Sequence, residues 1–207
     1  MRVIFCPPYV FYHEVLSFIT QLDDIEEKDK KIYLAETYQQ LGTLAEEDSR
    51  DYQTAKDYYQ KALDIFVEHN ELRCQAKSYG QLGIIAQNSR EYLQAINYYQ
   101  QALEILIEYS DRYSQASTYF QLGKVAEELA ELEQAKSYYL KDLEITAESN
   151  DEQGLRITIR NLAQFYRETG DNSLVQSIAA MFDSTETEVR ELLTVNRIND
   201  RFNESES

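Results

Sequence analysis

Apolar and small residues recur along this chain at spacings of three and four, and the whole pattern returns after 41 and again after 40 residues, at Tyr38, Tyr79 and Tyr119. The first instance runs Tyr38, Leu41, Gly42, Ala45, then Ala55, Tyr59, Ala62, Leu63. The second runs Tyr79, Leu82, Gly83, Ala86, then Ala95, Tyr99, Ala102, Leu103. The third runs Tyr119, Leu122, Gly123, Ala126, then Ala135, Tyr139, Asp142, Leu143. Residues three and four apart share one face of a helix, so each unit predicts two amphipathic helices, A and B, joined by a short turn. Seven steps separate Ala45 from Tyr52 where the later units have six. That difference places a one-residue insertion in the Asp48–Arg50 turn, which a surface loop tolerates.

Glycine inside a helix costs about 1 kcal/mol relative to alanine. Its return at Gly42, Gly83 and Gly123 therefore points to packing, with helix B coming close to the backbone of helix A and alanines on the facing surfaces. A leucine at Gly83 is expected to overpack that contact by about 1–3 kcal/mol. A fourth unit persists in degenerate form as Ile159, Leu162, Ala163, Tyr166, then Val175, Ala179, Phe182. Upstream, Phe11, Phe18, Leu22 and Ile25 keep the helix-B phase, as half a unit without its helix A. Val189, Leu192 and Leu193 share a face further on and suit a cap, because the end of a repeat array has one face in water. The expected organisation is an extension over 1–10, an array over 11–183, a capping helix over 184–199 and a tail over 200–207. Within the array lie a half repeat 11–34, repeats 35–75, 76–115 and 116–155, and the degenerate repeat 156–183.

Composition narrows the class. Hydrophobic residues make up 43% of the 207, ordinary for a folded chain, and 6 Gly and 2 Pro leave little turn chemistry for a many-stranded sheet, so the fold is read as all-α. A formal net charge of −17 repels phosphate backbones and anionic headgroups, which argues against nucleic acid and membrane surfaces and favours a neutral or basic polypeptide partner. The same carboxylates also serve simply to keep an elongated surface soluble. Cys6 and Cys74 lie too far apart in sequence to suggest a disulfide framework or a metal knuckle. Met1 to Tyr12 is apolar but has one basic residue, a Pro-Pro break and no small-residue cleavage site, a poor signal peptide; no stretch approaches a membrane span, and the cytoplasm is the expected location.

Catalytic constellations are not seen: there is no phosphate-cradling loop, no nucleophile elbow and no paired histidines at metal spacing, with His13 and His69 isolated. Adjacent acids such as Glu46–Glu47–Asp48 and Glu127–Glu128 point about 100° apart on a helix and read as a solvated face. No enzyme activity, cofactor or metal is expected.

The tripled motif resembles the tetratricopeptide repeat, with its aromatic, Leu-Gly, Ala, aromatic and Ala positions, over about Phe11 to Asp183. Two departures are the period, longer than the family's usual ~34 residues, and the missing proline after helix B. The long period is similar to that of kinesin light chains, spindle-orientation scaffolds and sensor arrays on bacterial signalling ATPases. HEAT-type repeats have a similar length, but the glycine-plus-alanine code favours the tetratricopeptide reading. The resemblance implies a right-handed α-solenoid of antiparallel helix pairs, helices A lining its concave face. Carried over by position, it implies a groove lined by Gln39, Gln40, Thr43 and Glu47, then Gly80, Gln81, Ile84 and Asn88. Phe120, Gln121, Lys124 and Glu128 follow, then Arg160, Asn161, Gln164 and Arg167.

Gln40, Gln81, Gln121 and Asn161 each precede the repeat's leucine or its counterpart, and a row of carboxamides both donates to and accepts from the backbone of an extended peptide. Kinesin light chains have an asparagine in the matching place, which implies clamping of a cargo backbone. The competing reading is that the amides bond neighbouring helices or water. Ile84 and Phe120 are apolar positions expected to face the groove and anchor a partner's side chain, unless Phe120 folds back onto the adjacent helix. Lys124, Arg160 and Arg167 make one end less acidic than the Glu46–Glu47 end and would orient a partner. Gln39 and Thr43 stand where the family's chaperone-type carboxylate clamp has Lys and Asn, so heat-shock protein tails are not expected ligands. The first tyrosine of each pair Tyr58–Tyr59, Tyr98–Tyr99 and Tyr138–Tyr139 is expected to pack against the next repeat, and the second to be core. The reading is a protein- or peptide-binding scaffold; alternatives are a sensor segment of a larger signalling assembly, or a homo-oligomer in which Phe11–Ile25 completes another copy.

Overall fold

The computed structural model describes residues 8–22, 25–149 and 151–194, and every regular element among them is helical. In chain order they are α1 (Pro8–Thr20), α2 (Glu27–Ser49), α3 (Tyr52–Glu68), α4 (Leu72–Asn88), α5 (Tyr92–Glu108), α6 (Arg112–Glu128), α7 (Leu132–Glu148), α8 (Glu152–Thr169), α9 (Asn172–Met181) and α10 (Glu186–Thr194). The A–B pairs are α2–α3, α4–α5, α6–α7 and α8–α9, an all-α helix-pair solenoid architecture in which α3 also packs on α4 in the first unit and α7 on α8 in the second. Two compact units divide the chain, residues 1–110 and 111–207. Cys6, most of the expected extension, the end of the expected cap and the tail lie outside the described residues, and α1 begins at Pro8, inside the stretch expected to precede the array.

What sets the period is a turn every twenty residues. Arg50, Arg90, Ala130 and Gly170, after the A helices, and Asn70 and Ser110, after B helices, all sit in the left-handed region, with φ between 49° and 65°. One such residue reverses the chain while its neighbours' amides return to the last helical carbonyls. Glu91 N–H donates to Ala86 O at 2.8 Å and Glu131 N–H to Ala126 O at 2.8 Å. In the first turn Asp51 N–H reaches Ala45 O at 2.9 Å, one residue further on. The extra residue is thus taken up at the end of α2, which continues as helix through Ser49 instead of leaving Asp48 and Ser49 in a turn, and closes on a wider ring. Asp51, Asp111, Asp151 and Asp171 cap the helices that follow them by accepting a backbone N–H. The starts expected at Ala35, Ala76 and Ala116 mark recurring phase rather than helix ends, for each lies inside an A helix.

Inside the repeats the predicted faces are the buried ones. In unit 1, Ala45, Ala55, Tyr59, Leu63, Leu82 and Ile85 form one cluster. In unit 2, Ala126, Ala135, Tyr139, Leu143, Leu162, Ala163, Val175 and Ala179 belong to a single core with Val189 and Leu193 of α10. The ends differ from expectation. Phe11 and Phe18 are 53% and 63% exposed while Ile19 is buried, so α1 turns its neighbouring face inward. Phe182 and Leu192 are exposed as well, the first because α9 stops at Met181 and the second because Leu193 takes the inward position. Arg190 of α10 ties this end together, donating to the Tyr166 hydroxyl at 2.8 Å and to Asn172 Oδ1 at 2.7 Å.

Candidate functional site

Three of the A–B pairs, α2–α3, α4–α5 and α6–α7, meet through a ring seated on a glycine. A Cβ placed on Gly42 would stand 2.7 Å from Cε1 of Tyr59, on Gly83 2.5 Å from that of Tyr99, and on Gly123 2.4 Å from that of Tyr139. The glycine is needed because Cδ1, Cε1 and Cζ of the helix-B tyrosine occupy the space where a side chain would begin. Each ring's hydroxyl finds a polar partner one turn after the glycine. Tyr59 donates to Glu46 Oε2 at 3.3 Å and lies 3.2 Å from Thr43 Oγ1, Tyr99 donates to Gln87 Oε1 at 2.9 Å, and Tyr139 donates to Glu127 Oε2. Burial pushes the Tyr59 phenol up to about 12 and raises Tyr99 and Tyr139 further. It also raises the Glu46 and Glu127 carboxyls, although their tyrosine bonds pull the other way. These two acids are therefore structural partners of the core and not the solvated pair expected of them; Glu47 and Glu128 are exposed.

The first tyrosine of each pair meets an aromatic ring of its own repeat, and Tyr138 also packs against the core that includes Leu162 and Phe165 of the next helix pair. Tyr58 stacks on Tyr38 with centroids 6.0 Å apart, Tyr98 lies 6.4 Å from Tyr79, and Tyr138 lies 6.3 Å from Tyr119. Gln39 is also corrected. It is 5% exposed and donates to Ser78 Oγ on α4 at 2.9 Å, which removes it from any open groove. Thr43 is half-buried and bonds the Gln39 carbonyl.

The proposed amides differ from Gln39. Gln40 on α2 is exposed, and Gln81 on α4, Gln121 on α6 and Asn161 on α8 are half-buried. Among the described residues none of the four makes a side-chain hydrogen bond within the protein. In unit 1, Ile84 is half-buried one turn of helix from Gln81. In unit 2, Lys124, Arg160, Gln164 and Arg167 are exposed, and Gln164 donates to Glu168 Oε1 at 2.9 Å along its own helix.

Two of the predicted residues meet at one place. Phe120 and Asn161 line a cavity of about 160 Å³ between α6, α7 and α8, wholly within unit 2. Phe120 does fold partly back, its ring centroid 6.0 Å from that of Tyr139, and still contributes to the cavity wall. The remaining wall comes from residues the groove assignment did not include, among them Tyr113, Ile145, Ile157, Thr158 and Asp142. Asp142 is 4% exposed and accepts a 3.1 Å hydrogen bond from Thr158 Oγ1 through Oδ2. Burial pushes its carboxyl up to about 6, partly offset by the Thr158 bond. The sequence did carry a signal for it: Asp142 stands where the earlier repeats have Ala62 and Ala102.

Two family models described as tetratricopeptide repeat match residues 74–148 and 35–66, together about half of the chain. The chain belongs to the tetratricopeptide repeat family. Among solved structures, this tetratricopeptide repeat chain is similar to BtubC (BKLC) from P. vanneervenii, at 22% identity and a TM-score of 0.71, over 93% of this chain and 75% of that one. It is similar to a putative kinesin light chain of Podosopora anserina with nearly identical TPR-like repeats, at 13% identity and a TM-score of 0.65, over 89% and 84% of the two chains. It is also similar to the Rap conjugation gene regulator of the plasmid pLS20, solved in complex with the Phr* peptide, at 18% identity and a TM-score of 0.61, over 96% of this chain and 58% of that one. No curated protein matches by sequence. Among the described residues of this repeat protein no helix is long and apolar enough to cross a membrane, and no group of three or more His, Cys, Asp or Glu side chains is placed to hold a metal ion.

Proposed function

We propose that this chain is a scaffold that holds extended segments of a neutral or basic protein partner against the A helices of each unit, with Gln40 and Gln81 in the first unit and Gln121 and Asn161 in the second serving the partner's backbone. The observation that carries this reading is the contrast among amides. Gln39 and Gln75, buried at 5% and 7% exposure, donate to Ser78 Oγ and Phe66 O, whereas the four recurring amides have no side-chain partner within the described protein. A carboxamide that donates and accepts, held on a rigid helix and left unused by the fold, suits a peptide backbone. The similar Rap regulator was solved with a peptide, which agrees with this use of the architecture. A net charge of −17 favours basic or neutral segments over acidic ones. The test is a pull-down from a proteome with the full chain and with Gln81, Gln121 and Asn161 all changed to Ala. Loss of the retained proteins from the triple variant is expected; an unchanged set would remove the amides from the mechanism.

Self-association is a second reading, favoured by the exposed Phe11 and Phe18 on α1. A concentration-dependent mass in light scattering that Phe18→Asp abolishes would support it, and a constant monomer mass would end it.

A further inference from the structure

The third repeat places a carboxylate inside a cavity that is otherwise mostly apolar. Asp142 occupies the position that is Ala62 on α3 and Ala102 on α5, both fully buried in their own repeats. Its carboxylate accepts one hydrogen bond, from Thr158, and among the described residues no lysine, arginine or histidine pairs with it. A charge left uncompensated inside a fold is costly, and natural interiors usually neutralise it with a partner. The carboxyl, though raised to about 6 by burial, is still ionised at neutral pH. The other titratable groups nearby do not compensate it. Tyr139 turns its hydroxyl to Glu127, and Asp151, also lining the cavity, is a second acid whose Oδ1 accepts from the Gly154 N–H.

We infer that the cavity between α6, α7 and α8 receives a basic side chain, lysine or arginine, of the bound polypeptide, with Asp142 as its counter-charge. Phe120, Tyr113, Ile145 and Ile157 provide the apolar wall that the aliphatic stem of such a side chain needs, and two of the four are aromatic, a residue type that suits a neighbouring cation. Ile157 is 47% exposed, so the cavity opens to solvent beside Asn161, one of the proposed backbone-binding amides. A metal ion fits this site poorly, because no third ligating side chain converges with Asp142 among the described residues. The assignment rests on the peptide-binding reading for the identity of its occupant, and on the cavity alone for its preference for a cation.

Two measurements separate these. In the first, the full chain is titrated with n-butylammonium and n-butylguanidinium, and with 1-pentanol as the neutral match, while amide resonances are followed by NMR. The cations are expected to shift Ile157, Thr158 and Asn161, with binding at least ten-fold weaker in Asp142→Asn and little response to the alcohol. Equal responses to alcohol and cation, or undiminished cation binding by Asp142→Asn, would overturn the inference. Ser117→Trp, on the exposed edge of the cavity, is expected to block the cations without touching the carboxylate, and serves if Asp142→Asn fails to fold. In the second, an array of unbiased twelve-residue peptides is probed with the same proteins. Enrichment of Lys or Arg among retained peptides, lost in Asp142→Asn, supports the inference. Retained peptides without that enrichment overturn it and leave peptide binding standing. If no peptide is retained while the small cations still bind, the peptide-binding reading falls and the cation site stands.

Discussion

The second and third repeats share one interhelical joint and differ in charge at one buried position. In α4–α5, Tyr99 lies on Gly83, bonds Gln87, and has Ala102 one turn further along its helix. In α6–α7, Tyr139 lies on Gly123, bonds Glu127, and has Asp142 in the same place. The joint is therefore a property of the repeat and the carboxylate a property of one copy. A position that the fold fills with alanine elsewhere has been given a charge that packing does not need, and that is where function is to be sought.

The largest expected effect tests whether the joints are equivalent. Tyr99→Ala and Tyr139→Ala should each cost about 3–5 kcal/mol in chemical denaturation, because a buried ring leaves a cavity against a glycine backbone that cannot fill it. A much smaller loss for one of them would break the equivalence. Next comes the difference itself. The Asp142 carboxyl, at about 6 against a usual 3.8, keeps its proton in the fold over a range where the unfolded chain has released it. Its contribution to stability is therefore present below about pH 4 and is lost as the pH rises through 6. Asp142→Ala should gain at most about 3 kcal/mol over the natural chain at pH 7.5 and little at pH 4. Ala102→Asp should lose stability with the opposite pH dependence. Thermal melts across that range decide it.

A smaller effect sharpens the glycine argument. Gly83→Ala should cost about 1–3 kcal/mol despite alanine's better helix propensity, since its Cβ would press on the Tyr99 ring. Pairing it with Tyr99→Ala should recover part of that loss, which a double-mutant cycle would show. The smallest concerns the turns. Ala130→Gly relieves a left-handed alanine at φ 59° and should gain about 0.5 kcal/mol, visible as a small rise in Tm.

The repeat register, the helix pairing, the alanine and glycine notches and the position of the insertion were all legible in the residues. Each depends on spacing along one helix, and spacing is what a sequence records directly. Gln40, Gln81, Gln121 and Asn161 are proposed on the same kind of signal, a recurring offset from the leucine position. The roles of Glu46 and Glu127 were not legible, because an acid followed by another acid looks solvated until the neighbouring helix brings a hydroxyl to one of them. Gln39 was misplaced for a related reason: adjacent to Gln40, it differs by a rotation of about 100°, and only α4 decides which of the two is covered.

By itself, then, the sequence determined what repeats, since the periodicity of small and large residues dictates which helical faces must be hidden from water. Only the tertiary structure decided what is individual. Asp142, Thr158, Phe120 and Asn161 come from three helices, and their meeting around one cavity depends on how those helices stack. Burial and charge compensation are properties of a neighbourhood, and the neighbourhood exists only once the chain has folded.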